Sequence, residues 1–132
     1  IASGEPIFLT GDFNEPSHLD WTKEAAQAGL HPLKVAFPTS IQVTEAGLKD
    51  AFRQLYPDPV AVPGFTWPAG TYPETPDSSV TDPADRIDFV YFTGKKVKVK
   101  NVQRIGEASE TSDISFPKYP SDHRAVLVTF DL

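Results

Sequence analysis

Pro6-Ile7-Phe8-Leu9-Thr10-Gly11-Asp12-Phe13-Asn14 decides how this chain is read. Its apolar run is too short for a helix and is closed by Gly11, the pattern of a buried strand that feeds a turn. Asp12 and Asn14 therefore stand at a strand's carboxyl end. The same grammar returns twice. Asp85-Arg86-Ile87-Asp88-Phe89 opens an apolar strand over 87–93, and Ser121-Asp122-His123-Arg124 precedes a final strand over 125–132. Each motif sets a carboxylate where loop meets strand. Such positions let oxygen ligands and an imidazole from distant sequence meet on one rim, as a hard divalent cation and a phosphate require. Taken singly, the Asp12-Phe13-Asn14 turn is better explained by local backbone hydrogen bonding, and a lone Asp-His pair by a structural role. Their joint occurrence, each in strand context, favours a site.

Working outward, Ser17 followed by Asp20 predicts a capped helix of about three turns running to Gly29. Thr44 is placed to cap a second helix, with Leu48, Ala51, Phe52 and Leu55 on one face and Pro57 and Pro59 as its stop. Between Pro57 and Arg86 stand Pro57, Pro59, Pro63, Pro68, Pro73, Pro76 and Pro83. They predict an extended surface loop around a short Gly64-Phe65-Thr66-Trp67 segment. After the strand over 87–93, Gly94 turns the chain. Val97 and Val99 then alternate with Lys96, Lys98 and Lys100, as in a hairpin partner for that strand. The stretch over 106–121 reads as loop.

At 132 residues the chain has the length of one domain and can bury a real core. With 39% hydrophobic and 23% charged residues it has a globular composition, and its apolar runs are far too short to span a bilayer. Twelve basic against 18 acidic residues give a net charge of -6, which repels polyanions, so nucleic-acid binding would need a local basic patch or bound cations. The absence of cysteine removes disulfides, thiolate zinc sites and cysteine nucleophiles, and leaves the compartment open. Ile1 in place of a methionine reads as a processed or excised chain.

The three motifs in this order resemble the endonuclease/exonuclease/phosphatase superfamily, the DNase I-like fold, in its C-terminal half. Asp50-Ala51-Phe52-Arg53-Gln54-Leu55-Tyr56-Pro57, running on to Phe65-Thr66-Trp67, is similar to the apurinic/apyrimidinic endonuclease branch. The resemblance implies an α+β chain, half of a four-layer α/β/β/α sandwich, with residues 1–132 forming the C-terminal portion of one domain. It implies a metal-dependent phosphoesterase in which Asp12 orients or deprotonates the attacking water and Asn14 hydrogen-bonds the reacting groups. His123 would contact the scissile phosphate, Asp88 would fix that imidazole, and Asp122 would complete the metal environment. Magnesium is the first-choice ion, and manganese or calcium could replace it among oxygen ligands. The family's principal metal-binding glutamate belongs to an N-terminal half that these residues do not match. The chain is therefore expected to be inactive alone.

Other candidates carry two readings each. Trp67 and Tyr72 would contact substrate or act as local anchors of the long loop. Arg86 and Arg124 would hold a phosphate or form structural ion pairs beside the aspartates. The lysines from Lys95 to Lys100 fit a solvated strand face better than a nucleic-acid track. His18 and His31 have no motif context and default to surface or helix-end roles. The substrate expected from the resemblance is a phosphate ester, small or lipid-borne. A nuclease acting on DNA or RNA is the alternative, and a non-catalytic binding module the alternative of another class. A half-fold also predicts an uncovered sheet face among Ile87, Phe89, Tyr91, Val126, Val128 and Phe130, covered by an upstream half or by self-association.

Overall fold

The computed structural model describes residues 4–69 and 84–132. Tyr72 and the prolines at 73, 76 and 83 lie outside them. The chain order is β1 (Ile7–Asp12), α1 (Lys23–Gln27), α2 (Pro38–Glu45), β2 (Lys49–Asp50), α3 (Ala51–Leu55), β3 (Asp88–Thr93), β4 (Lys98–Gly106), β5 (Ile114–Ser115) and β6 (Ala125–Asp131). The fold class is α+β.

β3 is the centre of the first sheet, ordered β1-β3-β2, and its apolar run is buried on both faces. Its odd positions, Phe89 and Tyr91, stack on each other at 5.2 Å beneath Phe13, whose ring meets both edge-on at 5.5 Å. Its even positions face the second sheet, ordered β5-β4-β6. There Phe92 packs with Ala51 and Val97, flanked by Val90, Val99, Val128 and Phe130. Phe130 touches Phe92 at 5.1 Å and Phe8 at 4.9 Å between ring centroids.

This division of faces corrects the expected apolar patch. Ile87, Phe89 and Tyr91 are buried, while Val126, Val128 and Phe130 are half-buried on the side of the first sheet. The exposed apolar surface lies instead on the edge strand β1, where Ile7, Phe8 and Leu9 are each at least 40% exposed. β4 also departs from expectation, since it pairs with β6 and β5 and not with β3. Gly94, at φ 140°, lets the chain leave the first sheet, and Val97 buries itself between the two. The alternation of valine and lysine makes a strand but is silent on which sheet accepts it.

The helices are shorter than expected. Thr22, not Ser17, caps α1 by accepting from the Ala25 amide at 3.1 Å, while Ser17 opens a turn that ends at Trp21. The second helix is replaced by two helices. α2 ends where its cap was expected, with the Thr44 hydroxyl donating back to the Ser40 carbonyl, and α3 is capped by Asp50. The segment around Phe65 is no surface loop. Gly64, Thr66 and Ala69 are buried, and a Cβ on Gly64, which sits at φ 74°, would meet the Phe52 ring at 2.4 Å.

Candidate active site

The site starts from a register. β1 and β3 run antiparallel with Asp12 directly opposite Asp88, and like charges facing across a ladder destabilise it unless something answers them. One answer is His123, whose Nδ1 lies 2.9 Å from Asp88 Oδ2. Asp12, Asp88 and His123 together offer three ligand atoms within 4.8 Å of one another. Asn14 completes the turn at φ 50°, its backbone N–H donating to Asp12 Oδ1 at 2.8 Å and its side-chain amide to Oδ2 at 3.1 Å. Both oxygens of Asp12 are thereby oriented.

One short segment carries the opposite wall. The Thr66 hydroxyl accepts from the amides of Ile87 and Asp88 at 3.1 and 3.3 Å, and its carbonyl accepts from the Arg124 amide at 2.7 Å. Ala69 N–H donates to the Asp122 carbonyl at 2.6 Å, and the Ser121 hydroxyl accepts from the His123 amide at 3.0 Å. The start of β3 and the loop that presents His123 are thus tied to the same residues. Thr66 is a positioning residue that its isolated Phe-Thr-Trp context did not disclose as one.

Electrostatics favour a charged imidazole. Burial alone would lower the His123 pKa, but the hydrogen bond and charge of Asp88, with Asp12 and Asp122 beyond, raise it above the ordinary 6.5. The bond at Nδ1 leaves Nε2 available to another partner. Beside it opens a cavity of about 430 Å³ lined by Asn14, Pro16, Trp67, Asp85, Ile87, Asp122 and His123. Asp122 lines this cavity and stands outside the three-residue ligand group. Trp67 reaches the same cavity, bridged to Asp85 across a short antiparallel pair.

The two arginines are committed elsewhere. Arg86, 2% exposed, donates from Nε and Nη2 to Asp20 at 3.0 and 2.9 Å and from Nη2 to Asp50 at 2.6 Å. Arg124 is buried against Glu107, with Nε at 3.1 Å from Oε2 and Nη2 paired to Oε1. Of their two readings, the structural ion pair is the one realised, because neither guanidinium has a face left toward the cavity. Asp20, Asp50 and Arg53 complete the buried network, and only Asp50, directly before the apolar helix it caps, carried a local signal. His31 is buried too, contrary to a surface role. It stacks on Trp21 with ring centroids 4.3 Å apart, and no spacing in the sequence pairs them.

Residues 1–123 match the family model described as the endonuclease/exonuclease/phosphatase family. The chain belongs to that family. An uncharacterized protein of Caenorhabditis elegans is similar, 35% identical over a match 130 residues long that covers 95% of this chain and 40% of the relative. The chain thus spans about 40% of the length of the curated relative it matches. No solved structure matches it significantly. Endonuclease/exonuclease/phosphatase family members are in general hydrolases of phosphoester bonds that depend on divalent metal. The donor set here fits such an ion, since two carboxylates facing across a ladder supply hard oxygen ligands in need of positive charge.

Proposed function

We propose that this chain carries the water-activating and phosphate-binding face of a divalent-metal-dependent phosphoesterase. The observation that carries the reading is the convergence of Asp12, Asp88 and His123 within 4.8 Å, with His123 held to Asp88 at 2.9 Å. Asp12, oriented by Asn14, takes a proton from the attacking water. The water oxygen forms the new bond to phosphorus as the ester P–O bond breaks, and the leaving alkoxide is protonated from solvent. Asp88 orients the His123 ring and, by raising its pKa, favours the imidazolium, whose free Nε2–H donates to a phosphoryl oxygen as negative charge develops there. When bound, magnesium, or manganese or calcium in its place, would supply further positive charge to the phosphoryl oxygens. Asp12 and Asp88 are the side chains that would hold it, with Asp122 facing the same cavity.

The acidic rim and the net charge of -6 favour a small or lipid-borne phosphate ester over a nucleic-acid backbone. We read the chain further as the C-terminal portion of one four-layer domain. The share of the relative that it spans supports this, as does the outer edge of β1, which no strand pairs among the described residues. The test is hydrolysis of bis(p-nitrophenyl) phosphate by the full-length protein. Activity should vanish on chelation, return with magnesium or manganese, and fall by about a hundredfold or more in Asp12→Asn. Full turnover in the chelated protein would overturn the assignment.

A further inference from the structure

We propose that Asp85 is a specificity determinant, accepting a hydrogen bond from an ammonium or hydroxyl group on the alcohol part of the ester; this rests on the phosphoesterase reading above. Asp85 lines the same cavity as His123, Asn14 and Trp67, and its side chain is only 13% exposed. Its Oδ1 accepts from the Trp21 indole N–H at 2.8 Å. Among the described residues, Oδ2 has no hydrogen-bond partner and no lysine or arginine pairs with the group. The nearest cationic candidate, His31 Nδ1, lies 3.9 Å from Oδ1 and makes no hydrogen bond. Burial lowers the pKa of that imidazole below the ordinary 6.5, against the pull of Asp85 and Asp20, so it is neutral near pH 7.

Asp85 therefore contrasts with Asp20 and Asp50, buried carboxylates that guanidinium groups satisfy. A largely buried carboxylate with one neutral donor is costly to keep. In a cavity meant for an anionic phosphate it also repels the substrate, unless the substrate brings a donor to it. Trp67, bridged to Asp85 across the strand pair, lines the same cavity and offers it an apolar surface suited to a short alkyl linker.

The experiment compares binding of 2-aminoethyl phosphate, 2-hydroxyethyl phosphate and ethyl phosphate to the full-length protein by calorimetry in magnesium buffer. A hydrogen bond to a charged acceptor predicts that at least one donor-bearing probe binds about tenfold tighter than ethyl phosphate. Which one does so distinguishes ammonium from hydroxyl. In Asp85→Asn the amide oxygen stays with the Trp21 N–H and turns its NH₂ to the cavity, so the donor-bearing probes should lose their advantage, while ethyl phosphate, relieved of the carboxylate's repulsion, should bind at least as tightly as before. Equal binding of all three probes by the wild-type protein overturns the proposal even if the variant fails to fold, as does an advantage that survives in the variant. Failure of every probe to bind overturns the phosphate-site reading along with it, whereas equal binding leaves that reading standing.

Discussion

Two groups of aspartates hang on the same stretch of chain and are treated in opposite ways. Asp20 and Asp50, 4% and 3% exposed, are gripped by Arg86 and Arg53, the latter donating from Nε to Asp20 at 2.6 Å. Asp12, Asp88 and Asp122 stand at the rim, and among the described residues the only basic group paired with any of them is His123. Arg86 and Asp88 flank Ile87, yet one points into the core and the other into the site. Charge that is answered internally ties the first loop, β2 and α3 to the base of β3. Charge that is left to one histidine is free to bind something else.

The largest effect expected from this contrast is on stability. Burial works against the Arg86 charge, and the two aspartates more than compensate, so its pKa is raised. Arg86→Met would leave Asp20 with Arg53 alone and Asp50 with no cation. Removing one partner from a buried network costs about 3 to 5 kcal/mol, a large share of a small domain's stability. The urea midpoint of the full-length protein should fall accordingly. A loss under about 1 kcal/mol would mean that the network is ornamental and the contrast false.

The next effect is on turnover rather than folding. His123→Ala removes a partly exposed ring whose work is on developing phosphoryl charge. It should lower kcat by about a hundredfold or more with saturating magnesium and substrate and, with magnesium present to answer Asp12 and Asp88, leave the urea midpoint nearly where it was. A variant that loses midpoint and rate together would place His123 with Arg86, among the groups that hold the fold.

Much of the site was legible before the fold was. β1, β3 and β6 declare themselves as apolar runs bounded by turn residues, and their acidic ends are local features of sequence. What brings those ends together is the register of Asp12 against Asp88, which the hydrophobic pattern of β3 enforces. The helices were less legible because their stabilisation is tertiary. α2 has no side-chain cap of its own. The Glu15 carboxylate accepts from the Thr39 amide at 2.9 Å, and the Ser40 hydroxyl accepts from the His18 amide at 2.9 Å. Nothing within 38–45 announces those partners. Arg86 and Arg124 could be assigned to a phosphate or to an ion pair from sequence alone, because Asp20, Asp50 and Glu107, which decide the matter, are remote in the chain. β4 illustrates the same gap, since alternation gives a strand its two faces but not its neighbour.

The smallest effect lies in the titration of two histidines that each stand beside an aspartate. His123 has Asp88 at 2.9 Å and remains partly open to water, and the nearby carboxylates outweigh its burial, so its pKa is raised. His31 has Asp85 at 3.9 Å and lies under the Trp21 ring, and burial wins, so its pKa is lowered. The signs follow. A raised pKa means that the folded state binds the proton more tightly than the unfolded one. The stabilisation from His123 is therefore full below about pH 6.5 and is lost as pH rises through the folded value. His31 contributes in the reverse sense, with its stabilisation full above that pH and fading as acid protonates the unfolded chain. Two-dimensional NMR of the imidazole C–H signals should put His123 above 6.5 and both His31 and His18 below it. Asp88→Asn should bring His123 down while His31 stays in place. If His123 titrated below 6.5 with Asp88 intact, the rim aspartates would not be acting on it, and the imidazolium assigned to the phosphate would have no support.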